Sequence, residues 1–252
     1  MCTLSIFTLP NQTIITMNRD EVRDRYEANI IQHAHTIASQ SFYPVDKQSS
    51  GTWFGFNGHG IVLALLNGYH ETQLKDAKSR GFIIPYLLKF NSLQQVEEQM
   101  AEQIADSTER NYNPFDLIYA DTSQIIKFNW NGKKLSKQKI ANPQAYMFSS
   151  SSVDTANILA KRADIFSDFK NNMPAANKPA YILQQLHLKQ DSTDTSSSIF
   201  MTRAKTHTKS ISQIIIKNKE LDYYYIDETQ IENTIHTKLY SQCHHQALKL
   251  NS

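Results

Sequence analysis

The chain has 252 residues, 40% of them hydrophobic, and its 26 basic and 24 acidic side chains leave a formal charge of +2. That length and apolar content can fill a sizeable core, and charge spread this evenly, with no run of Lys and Arg, excludes a nucleic-acid-binding tract. The two cysteines show no Cys-x-x-Cys spacing and point to a reducing compartment, and no apolar stretch reaches the roughly 18–20 residues of a membrane span. The first residues lack the basic and long apolar regions of a secretory leader, which would in any case discard Cys2, so a cytoplasmic location is expected.

In chain order, β-branched and aromatic patterning predicts strands at Thr3 to Leu9, Thr13 to Met17, Thr52 to Phe56 and Gly60 to Asn67. Helical periodicity follows at Arg80 to Phe90 and Leu93 to Ala105, with Ser92 as an N-cap. Strands are expected again at Phe115 to Ala120, Gln124 to Trp130 and Ala145 to Ser149, then helices at Asp154 to Phe169, capped by Asp154, and at Ala180 to Leu188. The last strands are Ser198 to Thr202, Ser212 to Ile216 and Leu221 to Ile226, the last carrying the run Tyr223 to Tyr225. Asn57-Gly58 and Asn131-Gly132 supply hairpin turns, while "NNMPAANKP" and "KQDSTDTSSS" read as loops. Strands arriving in consecutive pairs predict antiparallel sheets, and helices grouped between them favour an α+β layered domain over a doubly wound parallel sheet. With neither an internal repeat nor a composition break, residues 1–252 read as a single domain.

The first hairpin raises a chemical question. A turn centred on Pro10 and Asn11 sets Cys2 opposite Arg19 or Asp20, bringing "NRDE" (Asn18 to Glu21) back to the chain terminus. A guanidinium beside a thiol stabilises the thiolate. If Met1 is removed, Cys2 also gains a free α-amine, whose reference pKa of about 7.7–8.0 suits a general base near neutrality. Nucleophile and base then share one residue, and Asp20 is placed to accept a hydrogen bond from the ammonium. The plainer alternatives are that Cys2 is a small residue opening a buried strand and that "NRDE" is a charged strand end. Five of the seven glycines fall within Gly51 to Gly68, and Asn67 ends the apolar strand there, either as a turn asparagine or as an amide donor to an oxyanion.

Cys2 behind Met1, "NRDE", Arg25, "GTWFGFNGHG" at Gly51 to Gly60, Asn67 and "SRG" at Ser79 to Gly81 together resemble the NRDE family, that of the transport and Golgi organisation protein 2. The resemblance implies a four-layer αββα sandwich of two mainly antiparallel sheets flanked by helices, the N-terminal nucleophile (Ntn) hydrolase type, similar to penicillin V acylases, bile salt hydrolases and acid-ceramidase-like enzymes. It also implies Cys2 as nucleophile, Arg19 and Asp20 as its supporting pair and Asn67 as oxyanion donor, with Asn18 and Glu21 as further site residues. The sequence departs from the family at two stretches. "FSSSSVD" puts Ser150 where a second amide is expected, and "KTHTKS" replaces an arginine with Lys209, which keeps the charge and loses the planar fork.

His33 and His35 in "QHAHT" and Cys243, His244 and His245 in "SQCHHQ" have no recognised metal or haem spacing, and read as a polar loop and an exposed tail. There is no P-loop, dinucleotide fingerprint or Gly-x-Ser-x-Gly elbow. No cofactor or metal is expected. The expected function is an amidohydrolase that cleaves a non-peptide amide of an N-acyl compound through Cys2. The alternative is a binding or trafficking protein of the same fold that handles haem or lipid.

Overall fold

The computed structural model describes residues 1–36, 39–69, 73–105, 112–141, 144–174, 178–233, 240 and 243–251, with backbone alone at 29–36, 39, 232 and 233. The chain divides into two compact units, Met1–Arg25 with Pro143–Ala247 and Tyr26–Asn142 with Leu248–Ser252, and each is built on one antiparallel sheet.

The first unit begins with the hairpin β1 (Cys2–Leu9) and β2 (Gln12–Val22). It continues with β10 (Ala145–Ser150), β11 (Thr206–Lys217), β12 (Glu220–Asp227) and β13 (His244–Lys249), giving a six-stranded sheet in the order β10-β1-β2-β11-β12-β13. The strand expected to stop at Met17 runs on through Asn18–Glu21, because each of these polar residues gains a ladder partner in β11. One face of the sheet packs Phe7 and Ile14 against Phe169 of α3 (Thr155–Asn171), Ile182 of α4 (Lys178–Ile182) and Leu186 of the π-helical turn Leu183–His187. A short α5 (Glu228–Asn233) follows β12. Asp154 occupies the α3 N-cap position at φ 42° without capping it; its carboxylate accepts from Asn157 Nδ2 instead.

The expected strand Ser198 to Thr202 does not form, because side chains take its backbone groups. Asn18 donates to Ile199 O, Gln190 donates to Phe200 O, and Met201 N donates to Thr208 Oγ1. In the expected exposed tail at Cys243 to His245, His244 and His245 instead begin edge strand β13, where His245 stacks on Tyr224 and bonds Asp222, and Cys243 directly precedes it.

The second unit holds β3 (Glu27–Thr36), β4 (Ser39–Asp46), β5 (Phe54–Asn57), β6 (Val62–Asn67), β7 (Phe115–Ala120), β8 (Ile125–Trp130) and β9 (Leu135–Lys139), paired in chain order. The backbones of His33 and His35 lie in β3 rather than a loop, and their side chains fall outside the described residues. Leu63, Leu65, Leu117, Tyr119 and Phe128 pack against α1 (Ile83–Leu87) and α2 (Leu93–Ala105) through Ile84, Leu87, Val96 and Met100. The helix expected over Arg80 to Phe90 is a 3₁₀ turn, Arg80–Phe82, leading into α1, which closes at Leu87. Asn57 Nδ2 accounts for the early stop by taking the carbonyls of Leu88 and Phe90 at 3.1 and 2.8 Å.

Gly51 and Gly81, from the "GTW" and "SRG" stretches, touch backbone to backbone. A Cβ on Gly51 would lie 2.7 Å from Gly81 Cα, whereas one on Gly132 meets nothing closer than Pro114 Cγ at 3.6 Å, although φ there is +89°. Gly51→Ala is therefore expected to cost about 1–3 kcal/mol through overpacking, and Gly132→Ala about 1 kcal/mol through its backbone conformation alone. Denaturant unfolding of the two variants checks the order.

Candidate active site

The hairpin register pairs Cys2 with Arg19, and Cys2 also faces Ser150 across the β1/β10 ladder. Directly opposed residues share a sheet face, so Cys2, Arg19 and Ser150 lie together. The Cys2 amide N–H donates to Ser150 Oγ at 3.1 Å, and all three residues are buried. Glu21 sits beside them, with one carboxylate oxygen 3.5 Å from Arg19 Nη2 and 3.5 Å from Arg25 Nη1. Burial pushes the Cys2 thiol up. The N-terminal ammonium, the Arg19 guanidinium and the Asp20 backbone N–H pull it down, while the Asp20 carboxylate adds to the rise. With Met1 in place, desolvation prevails.

Asp20 points the other way. Strand alternation sends its side chain to the face of Thr3 and Asn18, where Thr208 Oγ1 donates to it at 2.7 Å and Arg162 Nη2 lies 3.4 Å away. Arg162, projecting from α3, is fully buried and also donates to Thr3 Oγ1 at 2.7 Å, Ser149 Oγ at 2.9 Å and Ser197 O at 3.2 Å. What Asp20 offers the terminus is backbone. The Met1 ammonium donates to Asp20 O, and Asp20 N–H donates to Met1 O, both at 2.8 Å.

Asn18 supports the same face. Its Nδ2 donates to His187 O at 2.9 Å and Ile199 O at 3.1 Å, which leaves Oδ1 to meet His187 Nδ1 at 2.6 Å. That arrangement requires the proton on Nδ1, so Nε2 accepts from the Ser5 hydroxyl, also at 2.6 Å. Full burial drives the His187 pKa down to about 3 and keeps the ring neutral.

Lys209 is the extra residue of a bulge between the pairs Thr208↔Asp20 and Ser210↔Arg19. Its ammonium donates to Arg23 O at 2.7 Å and Glu228 at 2.8 Å, and Glu228 also meets His207 at 2.5 Å. Asn67 belongs to the second unit, where its Nδ2 donates to the Tyr69 hydroxyl at 2.9 Å at the end of β6. Thus Cys2, Arg19, Glu21 and Ser150 lie together, Asn18 and Asp20 brace them from behind, and Lys209 turns to the start of α5. Among the described residues no group of three or more His, Cys, Asp and Glu is arranged to hold a metal, and no helix is long and apolar enough to cross a membrane. Cys243 is a free thiol, pushed up to about 11 by burial.

Sequence reasoning missed Arg162, His187 and Ser149. The signal for Arg162 was present: it sits in line with Ile158, Ile165 and Phe169 on the inward stripe of α3, where a charge demands a buried partner. His187 likewise closes the apolar series Ile182, Leu183, Leu186.

The whole chain aligns with several solved structures. It covers 100% of its own length and 92% of penicillin V acylase from Agrobacterium tumefaciens, at TM-score 0.54 and 13% identity. For a variant of conjugated bile acid hydrolase from Clostridium perfringens the values are 100% and 97%, TM-score 0.55 and 13%. For the N-acylethanolamine-hydrolyzing acid amidase ortholog of Caenorhabditis elegans they are 100% and 100%, TM-score 0.54 and 9%. At these identities the likeness concerns the fold, which is that of the Ntn hydrolases: α+β, on two antiparallel sheets with helices. Residues 1–241 match the Transport and Golgi organisation 2 family, and the chain belongs to it. No curated protein matches it in sequence.

Two measurements probe the bracing groups. Arg162→Met leaves Asp20 buried without its cation and is expected to cost about 3–5 kcal/mol. Adding Asp20→Asn should recover part of that loss, and a double-mutant cycle by denaturant unfolding reads the coupling. For His187 the folded pKa of about 3 lies below the ordinary 6.5, so the unfolded chain binds the extra proton. Its contribution is complete above about pH 6.5 and is lost progressively toward pH 3, at up to about 1.4 kcal/mol per pH unit. His187→Gln should give a flatter stability curve than the natural chain between pH 6.5 and 4.

Proposed function

We propose that this chain is a cysteine Ntn amidohydrolase acting on carbon-nitrogen bonds other than peptide bonds, with an N-acyl compound as substrate and Cys2, exposed by removal of Met1, as nucleophile. The observation that carries this reading is the ladder position of Cys2, opposite Arg19 on one side and Ser150 on the other. Once Met1 is gone, the nitrogen that now donates to Ser150 Oγ becomes the α-amine and moves the terminal positive charge onto Cys2 itself. Its electrostatic pull then joins that of Arg19 to favour the thiolate. The thiolate adds to the amide carbonyl carbon, and the α-ammonium passes a proton to the leaving nitrogen as the C–N bond breaks. Water then hydrolyses the thioester. Backbone N–H groups are the oxyanion donors in this scheme, and Asp20, Asn18 and Glu21 hold the hairpin end. That the similar structures are named as acylase, hydrolase and amidase supports the reaction type.

A second reading, a binding or trafficking protein for haem or lipid, is favoured by one feature: with Met1 present, the thiol is buried and held protonated. Intact mass of the cellular protein separates the two, because a retained Met1 leaves Cys2 no amine. Alkylation of the Met1-free protein across roughly pH 5–9, bracketing the reference thiol pKa, should label Cys2 faster than Cys243 below neutral pH. Cys2→Ala should abolish turnover of N-acyl compounds and keep the fold. Full activity in that variant, or equal labelling of the two thiols, would transfer the assignment to the binding reading.

A further inference from the structure

Met1 is buried, and each of its polar groups is engaged. Its ammonium and carbonyl pair with the backbone of Asp20, and its sulfur lies 3.1 Å from Arg203 Nη1 and 3.5 Å from Ser151 Oγ. The Ser151 hydroxyl is already committed to Val153 O at 2.7 Å, so Arg203 is the polar side chain that faces the sulfur with a donor to spare. The guanidinium is held in place from behind, with Nε and Nη2 donating to Ser196 O at 3.1 and 2.8 Å. Among the described residues no carboxylate lies within ion-pair distance of it.

A thioether is a weak acceptor, whereas a guanidinium fork matches a carboxylate. The surroundings sharpen the mismatch. Arg162 stands nearby with Asp20 as its carboxylate, and Asp194 is taken by Lys161 and Ser196. Arg203 is thus a second cation beside carboxylates that other residues already engage. Burial and the Arg162 charge both depress its pKa, against the pull of Asp20 and Asp194. Removing Met1 takes away the thioether, frees Asp20 N–H and C=O, and leaves a socket one methionine side chain long beside the Cys2 amine.

Resting on the reading of Cys2 as a nucleophile freed by loss of Met1, we propose that the vacated Met1 socket binds a carboxylate carried by the substrate, with Arg203 as the recognising residue. The substrate class is then an acidic N-acyl compound. A glutamate-length side arm has its carboxylate carbon where the methionine sulfur now lies, which sets the reach. Met1 in the unprocessed chain fills the position of that arm.

The test uses full-length protein released from an N-terminal fusion with and without Met1, carrying Cys2→Ala to prevent turnover. Glutarate and its uncharged counterpart glutaramide are the calorimetric probes. The Met1-free protein should bind glutarate at least tenfold more tightly than glutaramide, and the Met1-bearing protein should bind neither. Arg203→Met should abolish the preference, and Arg203→Lys, which retains the charge should the neutral variant fold poorly, should keep part of it. Absence of glutarate binding, equal binding with Met1 present, or a preference that survives Arg203→Met would overturn the proposal. The hydrolase reading fails separately. Glutarate binding with no turnover of any N-acyl compound by Met1-free natural protein leaves the socket standing and removes the enzyme. Turnover that ignores an acidic arm removes the socket and leaves the enzyme.

Discussion

The first unit depends on one buried pair of charges, Asp20 and Arg162, whose side chains are both shut off from solvent at 3.4 Å. A buried ion pair is sustained only when its remaining hydrogen-bonding capacity is met, and here Thr3, Ser149, Ser197 and Thr208 meet it. These partners come from β1, β10, the loop before β11, and β11 itself, while Asp20 comes from β2. The ion pair therefore links four strands at the end where the chain begins, three through the guanidinium and β11 through the Asp20 carboxylate. Because a register slip of one residue moves every side chain to the other face, the same constraint keeps Cys2 and Arg19 facing together.

Strand alternation then divides the labour within "NRDE". Asn18 and Asp20 face α3 and the π-helical turn, where they are consumed by structure: Asn18 clamps His187 and Ile199, and Asp20 holds Arg162. Arg19 points with Cys2, and Glu21 reaches it from the strand end. A four-residue motif that reads as one patch of charge is thus two sets of side chains with different tasks. The bulge at Lys209 belongs to the same arrangement, since it lets Thr208 share the face of Asp20 while the lysine turns to Glu228.

Much of this was legible, and the reasons differ by residue. The Pro10-Asn11 turn is short, so counting back from it narrows the partner of Cys2 to Arg19 or Asp20, and the ladder selects Arg19. Phe115–Ala120 and Leu93–Ala105 have the expected bounds because their apolar periodicity is strong and their ends are marked. Strands β3, β9 and β13 escaped because their sequences are largely polar, and β4 because Pro44 interrupts its apolar run. β9, "LSKQK", carries the lysines that suit an exposed sheet edge rather than an apolar alternation. Ser198 to Thr202 misled in the other direction: its composition suits a strand, but the side chains of Gln190 and Thr208 nearby and of Asn18 far along the chain take its backbone groups. Arg162 and His187 show the complementary case, where a polar residue inside an apolar stripe was the only local trace of a network spread over the whole unit.

The terminus joins these constraints to chemistry. In the unprocessed chain Met1 extends the β1/β2 ladder by one pair and buries its side chain, and the burial of Cys2 keeps the thiol protonated against the pull of the Met1 ammonium and the Asp20 N–H. On the proposed reading, one cleavage reverses all of them together. It removes the last ladder pair, wets the site and moves the ammonium one residue closer to the sulfur, while Ser150 still holds the nitrogen. The Asp20–Arg162 network lies behind the hairpin, and the hydrogen bonds that hold the Asp20 carboxylate and the Arg162 guanidinium run to Thr3, Ser149, Ser197 and Thr208. Loss of Met1 therefore leaves the register intact. Arg203, in contrast, touches the departing residue itself, so processing would free a cation at the same moment as it frees a nucleophile. On the proposed reading, that coincidence would tie the choice of substrate to the activation step rather than to the fold.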